Sequence, residues 1–165
     1  MTVDTRAKTV ETISTAPLFD IVVDLDPRVD FGADAPLGRR VLYRAAGGSF
    51  DGPDLRGEVV AGGGDWALIR PDGVMLLDVR LTLRTDDDEL VYMTYLGRWV
   101  IPPQVRADMA DPASRHRIDP ARYYFRTNPL FETGSTRYAW LNDLVAVGSG
   151  YLVDGGVGYH VERVL

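Results

Sequence analysis

The 165-residue chain contains no cysteine. That excludes disulfides, thiolate nucleophiles, zinc clusters and iron–sulfur ligation. Lysine occurs once, as Lys8, in a polar N-terminal stretch; Schiff-base chemistry is excluded with it. Histidine occurs twice, as His116 and His160, with no HxH or HExxH spacing. No metal is therefore expected, and no cofactor. Apolar runs long enough for a membrane helix, roughly 20 residues, are missing. Positive charge is in deficit: 18 basic residues face 24 acidic ones, for a net charge of −6 and a pI near 4.8. Nucleic acid is not an expected partner, because phosphate binding needs a concentrated positive surface. There is no GxSxG elbow and no GxxxxGK[ST] phosphate loop. The opening MTVDTRAKTVETISTAP has no apolar h-region, so no secretory signal is read there and a cytoplasmic protein is expected.

Seventeen glycines and ten prolines punctuate a chain that is 45% hydrophobic. They stand between short apolar runs, which argues for strands and turns over helices. Residues 1–16 read as a loose arm, and 17–165 as one domain. LFDIVVDL (18–25) alternates with period two. RRVLYRAA (39–46) does the same, followed by a turn-rich connection. A strand over 56–61 is broken by Gly62-Gly63-Gly64 and resumes as DWALIR (65–70). Pro71-Asp72-Gly73 is a tight turn. Residues 74–85 and 90–96 read as a hairpin. Residues 98–122 form an irregular, proline-bearing connection, a lid or a mobile loop, with a helical turn over 104–110. A strand is read again at 123–127; the run 137–147 mixes both faces and suits a short helix or, favoured by its aromatics and Val-Ala-Val end, a strand with a bulge. A final hairpin closes at Asp154-Gly155-Gly156. Eight to ten short strands with little helix predict a closed antiparallel β-barrel of lipocalin-like size, with a two-sheet sandwich as the alternative.

Candidate chemistry falls in two segments. Asp78 and Arg80 are two apart on the 74–85 strand and share a face. Turned inward, they would line a pocket as an ion pair; turned outward, they would be solvated. Asp65 and Trp66 follow three glycines, which suits a pocket rim as well as a plain loop. In the second segment Tyr138, Trp140 and Asn142 alternate, an aromatic wall with an amide, and Arg126, Phe131 and Glu132 precede it. Tyr95 joins the ligand-facing group. In an apolar pocket the Glu132 carboxyl would be pushed up, which suits a general acid or base.

GGSFDGPDLRGEVVAGGGDW, then RPDGVMLLDVRLTLRTDD, then YFRTNPLFETGSTRYAWLN occur in that order. Together they resemble the DUF3237 (UPF0311) family over about residues 18–165. The chain departs from the family pattern at Asp88-Glu89, where Gly-Ala is usual. The 98–122 connection carries little of the signature. The resemblance implies a small antiparallel β-barrel and a shared polar and aromatic set: Asp65, Trp66, Asp78, Arg80, Arg126, Phe131, Glu132, Tyr138, Trp140 and Asn142.

Three functions fit. The first is an enzyme free of metal and redox cofactors, acting by acid–base chemistry on a carbonyl-bearing or polyketide-like small molecule, as a cyclase, isomerase or hydro-lyase. There Glu132 or Asp65 would move protons, and Arg80 and Arg126 would stabilise oxyanion charge. The second is a non-catalytic carrier or sensor of a small organic molecule. The third is an interaction protein with a filled barrel. A homodimer is compatible with a barrel of this size.

Overall fold

A computed structural model describes residues 4–165; the first three residues of the arm expected at 1–16 lie outside them. Residues 4–14 form no strand or helix. Strands then follow as β1 (Thr15–Leu25), β2 (Val29–Asp30), β3 (Arg39–Asp51), β4 (Arg56–Ile69) and β5 (Met75–Thr85). They continue as β6 (Leu90–Val100), β7 (Tyr124–Thr127), β8 (Leu130–Glu132), β9 (Ala146–Val153) and β10 (Gly156–Val164). Every pairing is antiparallel. The order β1-β10-β9-β7-β6-β5-β4-β3 closes because β1 also pairs with β3, Ile21 lying opposite both Tyr159 and Phe50. β7 and β8 both pair with β6 and act as one interrupted strand, and β2 is a two-residue flap on β3. The result is a closed eight-strand antiparallel barrel. Among the described residues no helix is long and apolar enough to cross a membrane.

Alternation decides what fills the barrel. On β5, Leu77, Val79, Leu81 and Leu83 are buried, while Asp78 and Arg80 between them are on the outer face. One end is packed solid. Phe19 lies 5.6 Å from Phe50 and 5.8 Å from Phe131, centroid to centroid, and Leu83, Val91 and Leu141 are fully enclosed. A barrel of eight strands is just wide enough for its inward side chains to fill it.

Two expected strand breaks are absent. β3 runs on through the segment read as a connection after Ala46, and β4 runs on through Gly62-Gly63-Gly64. The glycines mark a bulge, not an end. Pairing with β5 passes from Val60↔Thr82 to Gly64↔Arg80, so β4 inserts two residues and its inside–outside alternation survives. Gly62 takes φ +113, a conformation that favours glycine. A Cβ on Gly64 would sit 2.5 Å from the Tyr43 carbonyl oxygen.

The expected strand over 137–147 is also absent. Residues Ala139–Asp143 form a 3-10 helix instead, and β9 begins at Ala146. The cause is tertiary. The buried Tyr138 hydroxyl donates to Asp87 Oδ1 at 2.9 Å, and the Leu141 N–H closes back on the Tyr138 carbonyl at 2.9 Å. The 98–122 connection holds a short helix, α1 (Arg106–Ala110), between 3-10 turns at Pro103–Val105 and Arg115–Arg117. Val105 and Met109 join the core, and the Arg115–Arg117 turn lies against β9.

Candidate functional site

The end of the barrel opposite the Phe19–Phe50–Phe131 cluster is hollow. Its cavity has a volume of about 90 Å³. Register places its layers. Met75 lies opposite Trp99, and Trp99 opposite Phe125, at the open end; Val79 lies opposite both Asp65 and Tyr95 deeper in. Trp99 and Phe125 stack at 5.2 Å with their planes 14° apart, and Tyr95 meets Tyr159 edge-on at 5.4 Å. Val23, Leu77 and Val157 add aliphatic wall, and Tyr43, opposite Asp65 on β3, adds a third phenol.

Asp65 is the one acid among the lining residues. It is half-buried, its free surface facing the cavity. The β4–β5 pairing jumps from Asp65↔Val79 to Leu68↔Leu76. In that interval the Asp78 N–H donates to Asp65 Oδ1 at 2.9 Å. Burial pushes the Asp65 carboxyl up from 3.8 to about 7; the Asp78 N–H works against the rise, the Asp78 charge adds to it, and the Arg40 charge opposes it. Arg40 itself is held by the Trp66 carbonyl, to which it donates at 2.8 Å.

Tyr95 and Tyr159 are buried beside it. Burial drives the Tyr95 hydroxyl well above the ordinary phenol range, its contact with the Tyr159 hydroxyl pulls it partly back, and the charge of Asp65 raises it further. Tyr159 is raised by burial first, then by Tyr95 and by Asp65. Both phenols therefore stay protonated at neutral pH and can act only as hydrogen-bond donors or acceptors. A carboxyl poised near neutrality, facing the Tyr95 hydroxyl with Tyr159 behind it, can move a proton to or from a carbon acid. Among the described residues no group of three or more His, Asp or Glu is placed to hold a metal ion.

Of the residues singled out from sequence, Asp65 and Tyr95 meet in this cavity. The others do not reach it. Asp78 and Arg80 pair with each other on the outer face at 2.8 Å, with side chains 42% and 48% exposed. The expectation that they face inward is corrected: a lumen this narrow takes the apolar face of β5 and leaves the charges to water. Trp66 is 37% exposed on the same outer face, under the Arg80 guanidinium at 5.7 Å. Arg126 is exposed, donates to the Phe125 carbonyl at 2.9 Å and covers the Tyr124 ring.

Glu132 is exposed on β8 opposite Tyr92, so it meets no apolar pocket. Phe131 belongs to the packed end, and Tyr138 is fixed to Asp87. Trp140 packs against the core from the 3-10 helix. Asn142 is exposed and clamps Thr133, accepting from its N–H at 2.8 Å and donating to its carbonyl at 3.0 Å. Tyr138, Trp140 and Asn142 thus share no strand face. Sequence reasoning missed Tyr159, Tyr43, Trp99, Phe125 and Arg115, all of which line the cavity. The first could have been found: Val157, Tyr159 and Val161 alternate on the last strand.

Fold and cavity define a class: a small closed β-barrel, solid at one end and hollow at the other, with one acid and three tyrosines, Tyr43, Tyr95 and Tyr159, lining the hollow. The family model described as "Protein of unknown function (DUF3237)" matches residues 13–164, and the chain belongs to that family. A UPF0311 protein of Clostridium acetobutylicum is 34% identical over 130 residues, covering 79% of this chain and 80% of the relative. A crystal structure of a β-barrel-like protein from Acinetobacter baumannii superposes with a TM-score of 0.82 at 31% identity, covering 96% of this chain and 100% of that one. A more distant crystal structure, described as an enzyme from Penicillium herquei, has a TM-score of 0.69 at 19% identity over 96% of this chain and 99% of that one; the likeness extends to the fold.

Proposed function

We propose that the barrel is an enzyme that works by acid–base chemistry on a carbonyl-bearing small molecule held in the hollow end. The carrying observation is the placement of Asp65, the one acid of an apolar cavity, beside the buried hydroxyls of Tyr95 and Tyr159. In this reading the substrate carbonyl oxygen accepts a hydrogen bond from the Tyr95 phenol, which Tyr159 supports from behind. Ionised Asp65 takes a proton from the adjacent carbon. The C–H bond breaks, its electron pair forms the C=C bond of an enolate, and the oxygen's negative charge rests against the Tyr95 hydroxyl. Return of the proton from Asp65 to a different carbon completes an isomerisation. Expulsion of a β-hydroxyl, which leaves as water with the Asp65 proton, completes an elimination, and the reverse is a hydration; attack of the enolate carbon on a second carbonyl of the same molecule, whose oxygen takes the Asp65 proton, closes a ring. A carboxyl near neutrality suits both directions, since the best proton-transfer group lies near the working pH. Glu132, Arg80 and Arg126 take no part. That a protein of this fold is described as an enzyme gives such a barrel a precedent for chemistry. The reading places the protein in the cytoplasm, consistent with its cysteine-free composition.

The test is deuterium exchange into 2-tetralone, a ketone with acidic α-protons, followed by NMR in deuterated buffer. The protein should accelerate exchange over buffer, with a rate that rises through about pH 7 as Asp65 ionises. Asp65→Asn should abolish the acceleration, and Tyr95→Phe should reduce it by about 10²-fold or more. Exchange at the buffer rate, or an undiminished rate in Asp65→Asn, would refute the reading in favour of a carrier.

A further inference from the structure

The open end of the cavity contains a positive charge that the acid–base reading does not use. Arg115, on the 3-10 turn Arg115–Arg117, is a lining residue. Nine other arginines form ion pairs with carboxylates inside the chain. Arg115 forms none, and its guanidinium donates no hydrogen bond among the described residues; only its backbone N–H does, to the Asp111 carbonyl at 3.0 Å. The acids of its own segment are engaged elsewhere. Asp108 holds Arg122 at 2.9 Å, Asp111 accepts from the Ser114 hydroxyl at 2.6 Å, and Asp119 accepts from the Ala121 N–H at 2.9 Å. An unneutralised guanidinium at the rim of an apolar cavity is a ready partner for a carboxylate, which it can grip with two parallel hydrogen bonds.

A second observation lies at the same end. Trp99 forms part of the wall, and its buried Nε1–H has no hydrogen-bond partner among the described residues. Buried donors rarely stay unpaired, and an acceptor arriving with a ligand at this end would satisfy it. Depth then sets the length of the ligand. Trp99 stands four residues from Tyr95 on β6, which is about 13 Å along a strand. The stacked Trp99 and Phe125 rings at the open end favour a flat, aromatic or conjugated body.

We propose that the substrate is a flat organic acid: its carboxylate is held by Arg115 at the open end, and its carbonyl lies deeper, beside Asp65 and Tyr95. The carbonyl half rests on the acid–base reading above; the carboxylate half does not. The two groups are on the order of 10 Å apart. Arg115 is then a specificity-determining residue supplied by the 98–122 connection, the part of the chain with the least family signature.

The probe is 4-acetylcinnamate, a flat conjugated acid long enough to span that distance, with its methyl ester as the neutral control, each titrated by calorimetry. The wild type should bind the acid at least about tenfold more tightly than the ester. Arg115→Gln should lose that preference, weakening the acid about tenfold and leaving the ester within about twofold, with an unchanged thermal midpoint because the residue is exposed. Arg117→Gln, two positions on and outside the cavity wall, should keep the preference. No binding of the acid, equal binding of acid and ester, or a preference retained in Arg115→Gln overturns the proposal. Exchange of the acetyl methyl protons into deuterated water, read on the same complex, separates the two ideas. Preferential binding that depends on Arg115 but brings no exchange upholds the carboxylate site and refutes the acid–base reading.

Discussion

Replacing Asp65 with Asn removes one titration from the folding equilibrium and leaves the shape of the cavity wall. The folded protein holds the Asp65 proton far more tightly than an unfolded chain does, because burial raises the carboxyl from 3.8 to about 7. The sign follows from proton binding. Between those two values the folded state binds more protons, so stability falls as pH rises. The contribution is fully present below about pH 4, declines through pH 5 and 6, and is gone above about pH 7. The interval corresponds to about 4 kcal/mol as an upper bound. Asp65 is half-buried and faces a cavity that can admit water, so screening reduces the expected loss to about 2–3 kcal/mol. Urea unfolding at half-unit steps from pH 4 to 8 would measure it. Other carboxylates titrate at the acid end in both proteins and cancel in the difference between wild type and Asp65→Asn. That difference should change steadily over pH 4–7 and flatten above it. A difference curve that is flat from pH 5 to 7 would refute both the raised carboxyl and the acid–base reading built on it.

Three further outcomes follow from the packing. Glu132→Gln should leave stability within about 0.5 kcal/mol and leave ketone exchange unchanged, since its side chain is on the outer face; a large loss of exchange would return Glu132 to the site. Phe131→Ala should cost about 3–5 kcal/mol by urea unfolding while leaving the pH dependence due to Asp65 intact, because Phe131 packs at the solid end. Asp88→Gly should stabilise by about 0.5 kcal/mol: Asp88 sits at φ +65, where glycine is at ease and other residues are strained. A destabilised Asp88→Gly protein would refute that account of the turn.

Much of the barrel could be read from the chain. The β5–β6 hairpin, the last hairpin and the closure follow from alternation and turn chemistry. The family pattern has Gly where this chain has Asp88, and the positive φ of that residue shows why. What alternation could not settle was which face points inward. β5 offers an apolar face and a face with Asp78 and Arg80, and a ligand-lined lumen would have justified the second. Width decides it, and width depends on strand count and tilt, which no single strand encodes. Asp65 was visible because its triple-glycine prelude is unusual, although the glycines bend the strand instead of ending it. The Tyr138–Asn142 stretch misled because its spacing suits a strand while Tyr138 answers to Asp87, 51 residues away. Arg115 lies in an irregular segment, where no period indicates which way a side chain points.

The closure of the barrel also sets the order in which it can be made. β1 takes one neighbour, β3, from nearby sequence, but the other, β10, lies at the far end of the chain. The contact between His160 Nδ1 and Asp20 Oδ1 at 2.7 Å spans 140 residues. Until β10 docks, the sheet is an open ribbon with an unpaired edge on β1, and the hollow end has neither Tyr159 nor Val157 in its wall. Closing so long a loop is slow, and an open edge invites pairing with another chain. The wall of the hollow end is complete only once β10 has docked on β1, and until then the open edge is where the chain is most exposed to aggregation.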